Sequence, residues 1–399
     1  MTTRPDIRFL DRSTPPHVST LILLAGISAL NMSIFLPSLA HMAAYFETSY
    51  AVMQLSLSGY LGVTALLQIG VGPLADRYGR RPVILWAMVV FVIATIGAAL
   101  APSAEVFLAF RMLQGAVAVT MVLSRAIVRD MVPQEQAASM IGYVTMGMAL
   151  VPMVGPMIGG LLDQMFGWQA TFVFLTLAGI GVGVMAYLDQ GETMHGSGLS
   201  FAAQIRSYPA LLGSAHFWGY VLCAAFASGV FFAFLGGASL VADRVFGLTP
   251  LWAGVALGAP AIGYAAGNFV SGRYSVRIGI DRMILAGALI LIAGMGISLG
   301  LALLGQSTAL LFFGFCTIVG FGNGMIMPNA TAGMLSVRPD LAGTASGLGS
   351  AILIGGGAAL SVVAAQQLEA GTGTLPLQII MFGLSVLTGL SILLMLRRG

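Results

Sequence analysis

Residues 52–101 read VMQLSLSGYLGVTALLQIGVGPLADRYGRRPVILWAMVVFVIATIGAALA. Two apolar runs, 52–72 and 83–101, flank a short charged stretch, Gly72-Pro-Leu-Ala-Asp76-Arg77-Tyr-Gly79-Arg80-Arg81-Pro. Each run has the roughly 20 residues that a helix needs to cross a bilayer. Such runs are too long for barrel strands, and backbone groups in lipid must be satisfied internally, so both are helices. The segment therefore reads as a membrane helix, a tight charged reversal and a second membrane helix. Gly79 permits the reversal, and Gly72 lets a neighbouring helix approach. Asp76 caps or pairs with a helix end, while Arg77, Arg80 and Arg81 bind helix C-termini and the inner membrane surface.

Ten further runs of the same kind lie on either side: 20–40, 106–127, 138–162, 168–188, 214–236, 252–271, 283–302, 308–328, 342–365 and 377–396. The fold expected is an all-α membrane protein of twelve spans, numbered here one to twelve in chain order. Composition agrees, with 58% apolar and 8% charged residues, against about 45–50% and about 25% in soluble domains. Soluble enzymes and soluble binding domains are thereby excluded. All 17 basic residues are Arg, and the net charge is +3. No basic run is long enough to track a phosphate backbone, so no nucleic-acid partner is expected. Cys223 and Cys316 sit inside apolar runs and make no metal cluster, so no metal site is expected.

The arginines also orient the chain. With the N-terminus inside, 15 of the 17 fall in inner loops and tails, among them Arg4, Arg77, Arg80, Arg81, Arg125, Arg129, Arg273, Arg277 and Arg338. Only Arg244 falls outside, and only Arg111 lies within a span. The positive-inside rule predicts that bias and places both termini in the cytoplasm. Residues 1–19 read as a cytoplasmic tail without a cleavage site. The longest inner loop, 189–213, holds Gly191, Gly196, Gly198 and Pro209 and reads as a cytoplasmic linker between two six-helix bundles, 20–188 and 214–399. At an offset of 200, Gly72, Arg77, Gly79, Ile84 and Leu85 recur as Gly272, Arg277, Gly279, Ile284 and Leu285, and Gly147 and Gly155 recur as Gly347 and Gly355. Two duplicated, pseudo-symmetric halves around a midplane cavity is a transporter design.

The stretch Gly72–Arg81 resembles the signature loop of the major facilitator superfamily, G-x-L-a-D-R-x-G-R-R/K, at every defining position. The resemblance implies a gating loop that latches the two halves in one state. In span four, Arg111-Met-Leu-Gln114-Gly115 resembles the family's R-x-x-Q-G element. A lone Arg in a membrane helix is costly unless it faces a cavity or a partner. Arg111 reads either as a structural arginine on backbone carbonyls or as an electropositive group of the transport cavity, with Gln114 on the same helix face. Span five carries Gly155-Pro156-Met-Ile-Gly159-Gly160, preceded by Gly142 and Gly147. Pro156 predicts a helix kink and the glycines predict close packing. This resembles the motif that marks drug antiporters within the superfamily.

Further stretches are Ile34-Phe-Leu-Pro37, Gln54-Leu-Ser-Leu-Ser-Gly-Tyr60, Arg125-Ala-Ile-Val-Arg129-Asp130 and Gly167-Trp168-Gln-Ala-Thr-Phe172. Together they are similar to the twelve-span drug:proton antiporters of the bicyclomycin and chloramphenicol/florfenicol resistance type, over about residues 20–190. That branch places an Asp four residues before the span-one proline as its proton site, where this chain has Ser33. All 14 acids fall in tails, loops or span ends. The groups left to couple protons are Asp76 and Asp130 on the inner side and Asp163 or His41 on the outer side.

A cavity lined by Arg111, Gln114, Asn31 and Ser33 and lacking a carboxylate favours a small amphipathic neutral or anionic substrate over a lipophilic cation. Phe35, Tyr60, Tyr143, Phe231, Tyr264 and Phe321 are candidate aromatic walls, each also explicable as ordinary packing. Asn268 and Asn323 are the polar candidates of the second half. The resemblance implies a multi-pass monomer of the bacterial cytoplasmic (inner) membrane, in contact with lipid. Its expected activity is export of drug-like compounds by alternating access, driven by the proton gradient with no bound cofactor. An importer or facilitator of a neutral or anionic metabolite is the alternative. With no Lys, the chain has no P-loop for ATP hydrolysis.

Overall fold

The computed structural model describes residues 7–131, 151, 154–194, 209, 211–338, 342–370 and 373–397. Eleven helices long and apolar enough to cross a membrane occur among them: Val18–Tyr45, Tyr50–Gly72, Arg80–Ala99, Ala104–Val128, Gln169–Asp189, Ala215–Val245, Pro250–Ile278, Ile280–Leu303, Ala309–Ser336, Gly347–Leu368 and Leu375–Leu396. They fall on the apolar runs of spans one to four and six to twelve. Span five is described at 151 and 154–166, which are helical. The rest of it, with Gly142, Tyr143 and Gly147, lies outside the described residues, as does most of the 189–213 linker. The bundle turns its apolar side chains outward: Leu66, Trp86, Phe269 and Leu310 are exposed, whereas Asn31, Gln54, Arg111 and Gln114 are buried. A surface of this kind suits lipid rather than water.

Short connections hold because the helices are capped locally. Ser49, Ser103, Ser214 and Thr308 each accept a backbone N–H three residues on, starting spans two, four, seven and ten. Gly79, at φ +94°, ends one helix with its N–H on the Ala75 carbonyl, and span three starts at once with Arg80. Gly279 repeats this at φ +94°, with its N–H on Ser275. A side chain disfavours that backbone region, so the duplicated loop recurs in geometry as well as in sequence. Span one is interrupted: it stops at Ser33, turns through a 3-10 segment Leu36–Ser38 at Pro37, and resumes as Leu39–Tyr45. At the same end, Trp168 and Phe172 of the Gly167–Phe172 stretch lock edge-on against Phe107, with ring centroids 5.8 and 5.4 Å away.

Helix pairing also repeats. Span one packs on spans four and six as span seven packs on ten and twelve; span two packs on four as eight packs on ten; span three packs on four and six as nine packs on ten and twelve. The eight–ten crossing is a backbone-to-backbone fit. Gly263 and Gly267 face the carbonyls of Thr317 and Phe321, and Gly320 and Gly324 face those of Pro260 and Tyr264, so a Cβ at any of them would collide. Small residues four apart on both partners are what close membrane-helix approach requires.

Contact between the two sets of spans runs along spans two and eleven and gathers at the end remote from the N-terminus. At this far end Ser239 Oγ donates to the Leu36 carbonyl at 2.5 Å and Tyr50 Oη donates to Gly236 at 3.4 Å. Gly160 abuts the Pro250 carbonyl, and Gly254 abuts that of Pro156. The near end differs. A Cβ at Gly72, Gly272 or Gly347 would meet open space. Among the described residues no helix makes the close approach expected at Gly72.

The near end is tied within the first set of spans by carboxylates acting over long sequence separations. Buried Asp189, closing span six, accepts from Leu10 N at 2.6 Å, His17 N at 2.8 Å and Thr20 Oγ1 at 2.6 Å, which pins the tail and caps span one. Glu192 accepts from Arg80 N at 2.9 Å and Arg81 N at 3.2 Å, capping span three from outside its own sequence. Replacing Asp189 with Ala leaves three donors unpaired and costs about 2–4 kcal/mol. The tail then frays, and trypsin cleavage at Arg12 is expected to accelerate about tenfold. Unchanged cleavage in the purified variant would show that the tail is held by other contacts.

Candidate functional site

Arg111 lies in span four, where the helix Ala104–Leu113 tightens into a 3-10 turn over Gln114–Val117. Its guanidinium is fully buried between two aromatic faces, 4.3 Å from the Phe35 centroid and 4.5 Å from that of Tyr60. Nε donates to the Ser56 carbonyl at 3.0 Å, one terminal nitrogen to Asn31 Oδ1 at 2.7 Å and Gln114 Oε1 at 2.6 Å, and the other to the Asn31 carbonyl at 2.8 Å. Gln114 in turn donates to Thr95 Oγ1 at 2.8 Å. Four of the five guanidinium donors are thus used by spans one, two and four, and the π faces supply further stabilisation. Of the two readings of Arg111, this geometry supports the structural one. It is a knot that ties four helices, with no face left for a substrate.

The structure accordingly brings Arg111, Gln114, Asn31, Phe35 and Tyr60 together, but as packing. Ser33 is buried, and its hydroxyl donates back to Ala29 at 3.2 Å. A Cβ on Gly155 would lie 3.0 Å from Ser33 Oγ, so the position that the related branch gives to Asp is here a contact between spans one and five. Gly159 is pressed on the Ile34 carbonyl and Gly160 on that of Pro250, which agrees with close packing in span five. The kink expected at Pro156 adjoins residues outside the described set. Tyr264 and Asn268 stand apart from Arg111 on span eight, with Asn268 Nδ2 donating to the Tyr264 carbonyl at 2.8 Å. Phe231 packs on Phe232 and Phe234. Phe321 offers its carbonyl to the eight–ten crossing. Asn323 is buried with its Oδ1 unpartnered.

In the gating loop, Arg80 Nε donates to Asp130 at 3.2 Å, and Arg81 donates to the Tyr187 carbonyl at 3.1 Å while lying over the Tyr187 ring. Arg77 rests on Tyr78. The side chain of Asp76 lies outside the described residues. At the far end His41 Nδ1 is 3.1 Å from Asp163 Oδ2, which pairs two of the groups named as proton-coupling candidates.

Three charged residues that shape the bundle escape the sequence reading. Asp189 and Glu192 act at a distance that no local pattern reveals. Arg125, counted above among the inner-loop arginines, sits inside the helix Ala118–Met131 and within the membrane segment Ala104–Val128. The signal was present, because the apolar run of span four continues past it to residue 127.

The sequence matches the Major Facilitator Superfamily over residues 21–362. It is 28% identical to the multidrug resistance protein D of Escherichia coli (strain K12) over 375 residues, covering 92% of both chains. It is 36% identical to a chloramphenicol resistance protein of Pseudomonas aeruginosa over 54% of this chain and 52% of that one. With a bicyclomycin resistance protein homolog of Haemophilus influenzae it shares 27% over 90% and 91% of the two chains. Among solved structures, a bacterial homolog of the human lysosomal transporter Spinster, inward-facing and occupied, superposes with a TM-score of 0.72 at 18% identity, covering 95% of this chain and 96% of that one.

Proposed function

The chain belongs to the major facilitator superfamily, and on that premise we propose that it is a twelve-span, proton-driven exporter of small amphipathic drug-like compounds. It is a multi-pass protein of the bacterial inner membrane. The observation that carries the export reading is the near-full-length match to a multidrug resistance protein, supported by the chloramphenicol and bicyclomycin resistance relatives. With both termini cytoplasmic, the far end is periplasmic and is shut by the reciprocal Gly160–Pro250 and Gly254–Pro156 crossing, while the near end opens to the cytoplasm. This is one half of an alternating-access cycle.

Coupling falls to the periphery, because no described carboxylate faces the middle of the bundle. His41 and Asp163 form the pair best placed to exchange a proton with the periplasm. In energised inverted vesicles, chloramphenicol addition is expected to alkalinise the lumen as drug enters and protons leave. A flat lumenal pH trace during demonstrated drug uptake would remove the proton. Ser33 at the usual acidic position favours, as a second reading, a facilitator of a neutral or anionic metabolite. A chloramphenicol- or bicyclomycin-resistant phenotype conferred on a pump-deficient host decides for export.

A further inference from the structure

Two arginines lie inside span four, and they have opposite surroundings. Arg111 is saturated by carbonyls, amides and rings. About four helical turns further on, Arg125 has none of these. Its Nε is sealed from solvent and has no hydrogen-bond partner. Among the described residues no hydrogen bond or ion pair reaches its guanidinium. The neighbouring polar groups are already committed: Ser124 Oγ donates to the Thr120 carbonyl at 2.7 Å, and Thr120 Oγ1 donates to Leu24 at 2.6 Å. Asp130, the acid nearest on the same helix, is held by Arg80 at 3.2 Å. A guanidinium inside a membrane segment without a counter-charge is costly, and such residues persist where they face a pathway or a ligand.

Among the described residues, the ionisable group coupled to Arg125 electrostatically is the phenol of Tyr264, on span eight in the other half of the molecule. Asn268, one turn on, is tied to the Tyr264 carbonyl. Both residues are only half-buried, so this face of span eight is not packed away. A guanidinium fork and a phenolic O–H contributed by the two halves are complementary to a group with several anionic oxygens.

We propose that Arg125 and Tyr264 form the oxyanion-recognition site of the transport cavity, taking the carboxylate, sulfonate or phosphate end of an amphipathic anion. Arg125 binds the oxygens as a fork and Tyr264 donates to them from the facing half, so occupancy bridges the two halves at the end left open here. The site rests on the exporter reading and assigns its substrates a charge. It also moves substrate contact from Arg111 to a residue the sequence places at a span end.

The test is binding of three probes to the full chain in lipid nanodiscs: 8-anilinonaphthalene-1-sulfonate, neutral chloramphenicol and cationic ethidium. The wild type is expected to prefer the sulfonate, with an affinity that falls as salt rises. Arg125→Gln weakens the sulfonate about tenfold or more and chloramphenicol several-fold less, while Arg125→Lys keeps the salt dependence of sulfonate binding but loses part of the affinity, because the charge remains and the fork does not. Tyr264→Phe weakens the sulfonate by about threefold to tenfold. Unchanged melting temperatures certify that the variants are folded. Competition by phosphatidylglycerol in the nanodisc, seen in the wild type and lost in Arg125→Gln, identifies a lipid headgroup as the occupant; its absence identifies a soluble amphiphile. Sulfonate affinity indifferent to Arg125→Gln overturns the proposal, as does equal loss of all three probes or a wild type that does not bind the sulfonate. These outcomes are independent of the resistance phenotype, whose failure would sink the exporter reading alone.

Discussion

Arg111→Ala is expected to cost the protein its fold before it costs it transport. The substitution removes four hydrogen bonds and two ring contacts from the centre of the first set of spans. It also leaves the side-chain oxygens of Asn31 and Gln114 buried without that donor. Stranded buried groups of this kind make such losses about 3–5 kcal/mol. The unfolding midpoint in detergent should drop by about 10 °C, or the variant should fail to accumulate in the membrane. Arg111→Lys should rescue little. A single ammonium cannot reach the Ser56 carbonyl, both oxygens of Asn31 and Gln114 together, nor lie flat between Phe35 and Tyr60. Thermal unfolding followed by tryptophan fluorescence measures this directly. A variant that melts like the wild type but does not transport would return Arg111 to the cavity.

Arg111 and Arg125 also show where sequence reading succeeds and where it stops. The Arg111-x-x-Gln114 spacing fixes both groups on one helix face, and the structure joins them at 2.6 Å. Whether a buried arginine has capacity to spare depends on how many partners reach it from other helices. Asn31 and Ser56 are brought in from 80 and 55 residues away, which no local pattern encodes. The positive-inside rule uses arginines as topological markers and places Arg125 in an inner loop, and it is blind to a cation that lies within the membrane helix itself. Local backbone features were far more legible. Gly79 and Gly279 are bound to the same left-handed geometry by the same short reversal. Span five's glycines announced close packing without saying against what. The carbonyls they meet belong to Ile34, on span one of the same half, and to Pro250, on span eight of the other.

That last contact is where a single side chain should stop the cycle. Gly160 meets the carbonyl and Cα region of Pro250 and Leu251, and Gly254 meets Pro156 and Met157 in return, so two helices meet backbone to backbone at the far end with no room for a Cβ. Gly160→Leu cannot be absorbed by a rotamer change, because the obstacle is main chain rather than a flexible side chain. The two halves must part at this end. The cost falls on the closed state, since the atoms nearest a Cβ at Gly160 belong to the opposite half. An excess of about 3 kcal/mol against closure shifts the equilibrium more than a hundredfold. Transport should fall by a similar factor while expression and melting stay near wild type; Gly160→Ala should show a smaller effect of the same sign. Gly320→Leu, which jams spans eight and ten within one half, should instead destabilise the protein. The state can be read from Tyr50, which is 1% exposed beside the closed far end. A cysteine there, in a chain whose buried Cys223 and Cys316 are replaced by Ser, should resist a membrane-impermeant maleimide on whole cells. In the Gly160→Leu background it should label about tenfold faster, because the end that shields it no longer closes. Protection that persists alongside lost transport would place the block elsewhere in the cycle, and unimpaired transport would show that the halves do not meet here during turnover.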